Sequence, residues 1–449
     1  MTVPALRSSV AGRVITPTDP DYDEARRLFY GGMDRRPDAI VRITDPADVI
    51  RVVTLTRDAG VPLAVRSGGH SVAGHSVTDG GVVLDLAGLR AYEIDPAAGT
   101  AWVGPGLTAG AFTVAAAEHG LALGFGDTGS VGIGGLTLGG GVGYLSRRYG
   151  LTIDDLLSAD IVTADGNLVR ADVDSHPDLF WAIRGGGGNF GVATRFQFRL
   201  HQLSTVVGGL LVLPATAEVI AGFIAAAAEA PEELTTIANV MPAPPMPFLP
   251  TDYHGQLVTL AMLVYAGEGA DAERALAPFR ALATPIADLV QPMPYPNVYP
   301  PEDESYHPVA ASRNLYLDSL DAGTATMILD QLRAASASFA VAQLRVLGGA
   351  VAQVPDTATA YAHRRRRIMV NVAALCESTD DLPGLDQWVA DFAAALQNGT
   401  EGAYVNFLGH DGAARIREAY PSPVWERLVD VKRRYDPDNL FRANQNITP

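Results

Sequence analysis

One histidine and two glycine-rich stretches carry the residue types that could do chemistry in this chain. His70 stands in Arg66-Ser67-Gly68-Gly69-His70-Ser71. A neutral imidazole nitrogen is a nucleophile. The two preceding glycines carry no Cβ, so His70 can come close to an electrophilic ring carbon of a tethered cofactor. On the local sequence alone, an ordinary loop histidine is the plainer reading, and His75 reads the same way. The stretches 124–143, GFGDTGSVGIGGLTLGGGVG, and 184–191, RGGGGNFG, give the second signal. Backbone N–H groups in such loops converge on anions, so glycine loops between strands are natural phosphate cradles.

The two standard nucleotide motifs do not fit. Gly132-Ile133-Gly134-Gly135-Leu136-Thr137 offers Gly-x-Gly, but Thr137 stands where the third glycine belongs. No clean strand precedes it, and no acidic residue follows at the ribose-binding spacing. No Gly-Lys-Ser/Thr triplet occurs, which removes a Walker A loop. A large nucleotide held by several separate loops fits the pattern better.

The elements that must position these loops read as follows. Asp45-Pro46 opens a helix in which Val49, Val52, Val53 and Thr56 recur at helical spacing. Pro62 to Arg66 reads as a strand running into the His70 loop, and Val82 to Leu86 as another. Residues 108–119 read as a helix ending at Gly120. Ile161-Val162-Thr163, followed by Ala164-Asp165-Gly166-Asn167, reads as a hairpin, and 193–200 as a strand. After about Leu203 the glycines thin. Strands at 256–265 and 369–375 and helices at 271–282 and 324–338 indicate an α+β unit on an antiparallel sheet. Charge and composition exclude several classes. A net charge of −17 argues against a nucleic-acid partner. Arg364 to Arg367 reads as alternating strand positions, solvated or paired with acids. Cys376 is the one cysteine, so an internal disulfide and a CxxC metal site are excluded. The sequence shows no signal peptide and no apolar run long enough for a membrane span. A cytoplasmic protein without metal is the expectation.

A resemblance now enters. Arg66-Ser67-Gly68-Gly69-His70-Ser71, followed by Asp79-Gly80-Gly81-Val82-Val83-Leu84-Asp85-Leu86, resembles the first half of a vanillyl-alcohol-oxidase-type (PCMH-type) FAD domain. Residues 129–151, with Asp154, Ala164-Asp165-Gly166 and Leu179-Phe180-Trp181-Ala182-Ile183-Arg184-Gly185, continue it. Leu347-Gly348-Gly349-Ala350-Val351, Thr359-Ala360-Tyr361-Ala362-His363-Arg364, Tyr404-Val405-Asn406-Phe407 and Tyr435-Asp436-Pro437-Asp438-Asn439-Leu440-Phe441-Arg442 resemble the berberine-bridge-enzyme-like subgroup. The resemblance spans residues 42–447, and the motifs are specific in combination and order.

The resemblance implies an α+β fold with a two-part FAD-binding domain, residues 1–205 and a returning segment 411–449, around a substrate domain at 206–410. It implies FAD bonded through its 8α-methyl group to His70. The family's second, cysteinyl bond falls at Thr128, so a single attachment is expected. It assigns FAD contacts to Arg66, Ser67, Gly68, Gly69 and Ser71. Further contacts fall at Thr128, Gly129, Val131, Gly132, Gly134 and Gly135, then at Gly139, Gly141, Gly143 and Leu145. Val162, Tyr404, Asn406 and Gln445 complete the set. Val131 matches the position that controls oxygen access to the flavin, and a small residue there goes with oxidases. The implied reaction is that of a secondary-metabolism oxidase. A hydride leaves a carbon bearing oxygen or nitrogen on a small-molecule substrate, and molecular oxygen becomes hydrogen peroxide. The usual tyrosine bases fall at Val142 and Phe407, which leaves Tyr404 and Tyr144 as candidates, with His363 behind them. Tyr404 comes first, because Tyr404-Val405-Asn406 resembles the family strand that faces the flavin, and alternation along a strand puts Tyr404 and Asn406 on one side; His363 or Arg364 is the expected cation that lowers its pKa. Sugars, alkaloids, hydroxylated N-heterocycles and polyketides all fit as substrates. Two other readings stay open: a flavin dehydrogenase using another acceptor, and a flavin-loaded binding protein, the latter because of Val142 and Phe407.

Overall fold

The protein is described by a computed structural model covering residues 3–301, 303, 305–337 and 339–449. Its first half is built from short elements. Asp45 caps the helix Pro46–Ala59 by accepting the Ala47 N–H, and Val49, Val52, Val53 and Thr56 form the buried stripe. Gly60 ends it in the left-handed conformation at φ 63°. The chain then enters the strand Leu63–Arg66, which lies parallel to Val82–Asp85. Val82–Asp85 also pairs in parallel with Ala39–Arg42, and Arg13–Ile15 completes a four-stranded sheet among the described residues. At the end of Leu63–Arg66, the Arg66 guanidinium meets Asp85 at 2.9 Å, both side chains buried. This pair fixes the C-terminal ends of two neighbouring parallel strands, where the His70 loop begins.

A second, antiparallel sheet has the order Tyr92–Asp95, Thr100–Val103, Val192–Arg199, Leu156–Val162, Leu168–Asp172. Val162 pairs with Leu168 across the 164–167 turn, as the hairpin reading requires. The helix expected at 108–119 runs Ala109–Ala117 with Thr108 as its cap. The 124–143 stretch is not all loop: Ile133–Gly139 forms two turns of helix.

The third sheet is the large one. Its main strands are Thr205–Pro214, Leu257–Tyr265, Leu234–Pro242, Phe339–Val346, Ile368–Cys376 and Val309–Leu317, in that spatial order and all antiparallel. One face is covered by the helices Ala217–Glu229, Gly269–Arg280, Ala322–Ala334 and Leu382–Leu396. Leu263, Leu344, Val370 and Val372 pack there against Phe223, Phe279 and Phe392. Truncating one such buried leucine costs about 2–5 kcal/mol. The helix expected at 324–338 ends at Ala334; residue 338 lies outside the described residues. The chain's last long helix, Val424–Tyr435, returns to the first half. Its buried Lys432 donates to the carbonyls of Asn189 and Phe441 and pairs with Asp436 at 2.6 Å.

Two expectations about strands fail. Arg364 and Arg365 lie in a turn, and Arg366 and Arg367 in the irregular stretch before the strand Ile368–Cys376. Arg364 is fully buried and grips Asp154 through two hydrogen bonds of 2.7 Å, because a guanidinium fork matches a carboxylate. The Tyr404-Val405-Asn406 segment is not a strand either. Val405–Phe407 is a single 3-10 turn with Tyr404 as its cap residue. Among the described residues, no helix is long and apolar enough to cross a membrane.

Candidate active site

The loop after Leu63–Arg66 and the loop around Gly132 come into backbone contact, because a Cβ on Gly68 would collide with the Gly132 backbone. Together they wall a cleft of about 1740 Å³, its open mouth included. Ser67, Gly68, Gly69, His70 and Ser71 line one side. Thr128, Val131, Gly132, Gly134, Gly135 and Gly141 line another. Tyr404, Asn406 and Gln445 close it from the C-terminal part of the chain. The structure thus brings together fourteen positions that the sequence placed at the cofactor, from three distant segments.

The other six do not reach the cleft wall. Arg66 is held by Asp85 behind the loop. Gly129 offers its carbonyl to the Gly110 N–H. Gly139 stands against the Asn406 side chain, where any Cβ would collide, so it admits that side chain. Gly143 is pressed on the Phe125 and Gly126 carbonyls. Leu145 is buried in a cluster with Val206 and Ile237. Val162 is core beside Val192. These residues support the wall from behind.

Two of the three candidate bases, Tyr144 and His363, also lie off the cleft wall. Tyr144 is buried outside the cleft wall, donates to the Asp127 carbonyl at 3.2 Å, and has its pKa pushed up by burial and then by the Asp127 charge. His363 lies behind Tyr316, with ring centroids 5.0 Å apart, and its Nε2–H is given to the Glu418 carbonyl at 2.9 Å. Burial pulls its pKa down to about 4. Each is a packed ring with its polar atom satisfied.

Tyr404 is different. It is buried, lines the cleft, and its hydroxyl oxygen accepts from the Gly141 N–H at 2.9 Å and from Asn406 Nδ2 at 2.9 Å. Burial raises its pKa, and these donors and the Arg345 charge oppose the rise. Because the oxygen already accepts two bonds, its own proton is free to point elsewhere. The cation that bears on it is Arg345, rather than His363 or Arg364.

His70 sits on the cleft wall with its imidazole stacked on Phe29. Desolvation pulls its pKa down to about 4, so the ring is neutral at pH 7. Thr128 lines the same cleft, whereas Cys376 faces the Val309 carbonyl on a strand of the large sheet. Val142 and Phe407 both line the cleft, so the two departures from the usual tyrosines fall where tyrosines would meet a ligand.

The residues fit a flavin dinucleotide. Gly135 and Gly188 line the cleft and have open space where a Cβ would stand, so bare backbone faces the ligand volume. His70 could hold the isoalloxazine methyl end, and the glycine walls the phosphates.

Sequence reasoning missed Phe29, Tyr30, Asp127 and Arg345. Tyr30 and Asp127 line the cleft, and burial with the Asp127 charge pushes the Tyr30 hydroxyl up to about 12. Arg345 is buried, bonds Asp127 at 2.5 Å and Gln343, and covers the Phe407 ring at 4.9 Å. Arg345 and Asp127 are 218 positions apart, so no local pattern announces the pair.

Comparison with known proteins agrees with this geometry. The FAD binding domain family matches residues 37–172, and the berberine and berberine-like family matches residues 403–448. A (R)-6-hydroxynicotine oxidase of Paenarthrobacter nicotinovorans is 32% identical, covering 98% of this chain and 97% of the relative. An FAD-linked oxidoreductase of Dictyostelium discoideum is 30% identical over 90% of this chain and 86% of its own length. Among solved structures, 6-hydroxy-D-nicotine oxidase from Arthrobacter nicotinovorans superposes with a TM-score of 0.88 at 28% identity, covering all of both chains. A xylooligosaccharide oxidase from Myceliophthora thermophila, solved with xylobiose, gives 0.86 at 25% identity, covering 99% of this chain and 98% of its own.

Proposed function

The chain belongs to the berberine-bridge-enzyme-like FAD-linked oxidoreductases of the vanillyl-alcohol-oxidase superfamily, and on that premise we propose an oxidase that holds FAD by one covalent bond to His70. The observation that carries the reading is His70 itself: a neutral imidazole on the cleft wall, held flat by Phe29. FAD, when bound, supplies the two-electron acceptor. Thr128 offers no thiolate, which supports a single attachment. The proposed domain division is 1–205 and 411–449 around 206–410.

In the proposed reaction a substrate carbon bearing oxygen or nitrogen loses a hydride, its heteroatom loses a proton, and molecular oxygen leaves as hydrogen peroxide. Tyr404 is the residue placed to take or relay that proton, with Gly141 and Asn406 steadying its oxygen. Asn406 is fixed in turn by donating to the Leu136 carbonyl at 3.1 Å. Val131 leaves the oxygen path open. The names of the relatives, nicotine-type and oligosaccharide oxidases, support a small oxygenated ring as substrate. The test is anaerobic bleaching of the flavin by a panel of hydroxylated N-heterocycles and sugars, followed by oxygen uptake. Substrate-dependent peroxide at one mole per mole of substrate is expected; bleaching that oxygen does not reverse would overturn the oxidase reading.

A further inference from the structure

A small void lies where the first half of the chain meets the large sheet. Val142, Gly143 and Arg147 wall it on one side, and Thr235, Arg345 and Leu347 on the other. Val142 also lines the FAD cleft, so the void stands behind the cleft wall. It holds about 270 Å³ of space between atoms, with room for about one water-sized sphere. Thr235 shares its sheet face with Ile237, two positions on, and Ile237 clusters with Leu145 of the first half.

Arg147 is 5% exposed. It donates to the Leu347 carbonyl at 2.5 Å and to the Ala230 carbonyl at 2.8 Å. Its Nε–H has no partner among the described residues. Nor does a carboxylate pair with it there. Glu232, whose charge bears on it, is taken by Arg148 at 2.9 Å and by Gln353 at 3.1 Å. Burial lowers the Arg147 pKa, but a guanidinium keeps its proton in proteins, so a positive charge stands in the interior against carbonyls alone. Arg345, 4% exposed, gives Nε and Nη2 to Gln343 and Asp127, and its Nη1 has no partner. The Thr235 hydroxyl is buried and has none either. The turn after Leu347 closes over Arg147. Gly349 holds φ 55°, and a Cβ on it would collide with the Arg147 carbonyl. That gives the Leu347-Gly348-Gly349 motif a place in the molecule away from the cofactor.

Buried charges are paired, and a buried donor without an acceptor costs its full desolvation. Water satisfies donors but leaves the charge, which here is two guanidiniums against the single carboxylate of Asp127. We propose that this void binds one small monovalent anion of the chloride class, held by Arg147 Nε, Arg345 Nη1 and the Thr235 hydroxyl. One such ion accepts from all three donors and balances the remaining charge. Sulfate, phosphate and carboxylates exceed the room for one water-sized body. The site is separate from the substrate's and does not depend on the oxidase reading.

The test is thermal melting of the flavin-loaded protein as chloride replaces gluconate at constant ionic strength, which holds screening fixed. Above its Kd, each tenfold rise in chloride should add about 1–2 °C, as a ligand of the folded state does for a chain of this length. Crystals grown in gluconate and soaked in sodium bromide should show an anomalous peak between Arg147 and Arg345. Arg147→Met removes the charge and should lose the chloride response. Thr235→Val keeps the side chain's shape and should weaken chloride about fivefold to tenfold, the worth of one hydrogen bond. It serves if Arg147→Met does not accumulate. Melting that chloride raises no more than gluconate overturns the proposal. So does an unaltered response in Arg147→Met or, in its place, in Thr235→Val. Bromide-soaked crystals without an anomalous peak in the void overturn it too, and water then fills the space.

Discussion

The imidazole of His70 lies flat on the ring of Phe29, centroids 4.1 Å apart and planes 19° apart. Stacking of this kind fixes a ring's plane and strips water from one side of it. Desolvation then holds the imidazole neutral, with its pKa down to about 4. A neutral, oriented nitrogen is what attack on a flavin methyl group requires. The His70→Ala protein is expected to lose its colour on acid precipitation, whereas the unaltered protein stays yellow. Phe29→Ala should still attach flavin, but several-fold more slowly when the apoprotein is mixed with FAD. A colourless pellet from the unaltered protein would refute the covalent bond.

A single attachment is predicted from Thr128 on the cleft wall and from Cys376 held at the Val309 carbonyl. Peptide mapping should yield one flavin-bearing peptide, and it should contain His70. Thr128→Cys places a thiol on the same wall as His70, and a second attachment site there is expected in a fraction of molecules. A flavin-bearing peptide containing Cys376 would contradict the geometry.

Oxygen reactivity is assigned to Val131, which lines the cleft and is half-buried. Val131→Leu adds one methylene at that wall. Stopped-flow mixing with oxygen should show reoxidation slowed at least tenfold, with anaerobic reduction unchanged. Equal reoxidation rates would remove Val131 from the oxygen path.

The pH dependence of stability follows from the buried histidines. Burial pulls both His75 and His363 down to about 4, with His410 and Arg35 adding to the effect at His75. Between pH 4 and 6.5 the unfolded chain binds protons that the folded chain refuses, so stability rises with pH across that window and is lost as pH falls through it. For His363, 6% exposed, the full effect is about 3 kcal/mol. Thermal melting should drop steeply between pH 6.5 and 4.5. His363→Gln should flatten that drop while leaving substrate turnover at pH 7.5 unaltered. A large loss of turnover in His363→Gln would return His363 to the chemistry.

How far the sequence carried the site can be judged from particular residues. His70 and the glycines at 68, 132, 134 and 135 were legible because they are local motifs in fixed order, and the cleft gathers them. The hairpin at 164–167 and the cap at Asp45 were legible for the same reason. Tyr144 and His363 lie off the cleft wall, because proximity in sequence to a motif says nothing about which way a ring points. The Arg345–Asp127 pair was invisible, since it joins a strand residue to a loop residue 218 positions away. Tyr404 was chosen on a strand argument that does not hold. It reaches the cleft because a 3-10 turn, not strand alternation, puts its hydroxyl and Asn406 within 2.9 Å of each other.

That turn makes Tyr404 the sharpest test of the chemistry. Its oxygen accepts two N–H bonds, from Gly141 and Asn406, and so is held where a substrate proton can be received or relayed. Burial works against ionisation, and the two donors with Arg345 work for it. General base catalysis is worth about 10² to 10⁴ in rate. Tyr404→Phe should therefore slow anaerobic flavin reduction by at least about 10², with FAD content unchanged. Asn406→Leu removes one of the two donors and should shift the basic-side dependence of reduction to higher pH, because the phenolate loses a stabilising partner. Arg345→Gln removes the nearby cation and should shift it in the same direction. Should Tyr404→Phe reduce its flavin at the unaltered rate from pH 6 to pH 10, Tyr404 is packing alone, and the substrate must lose its proton to water.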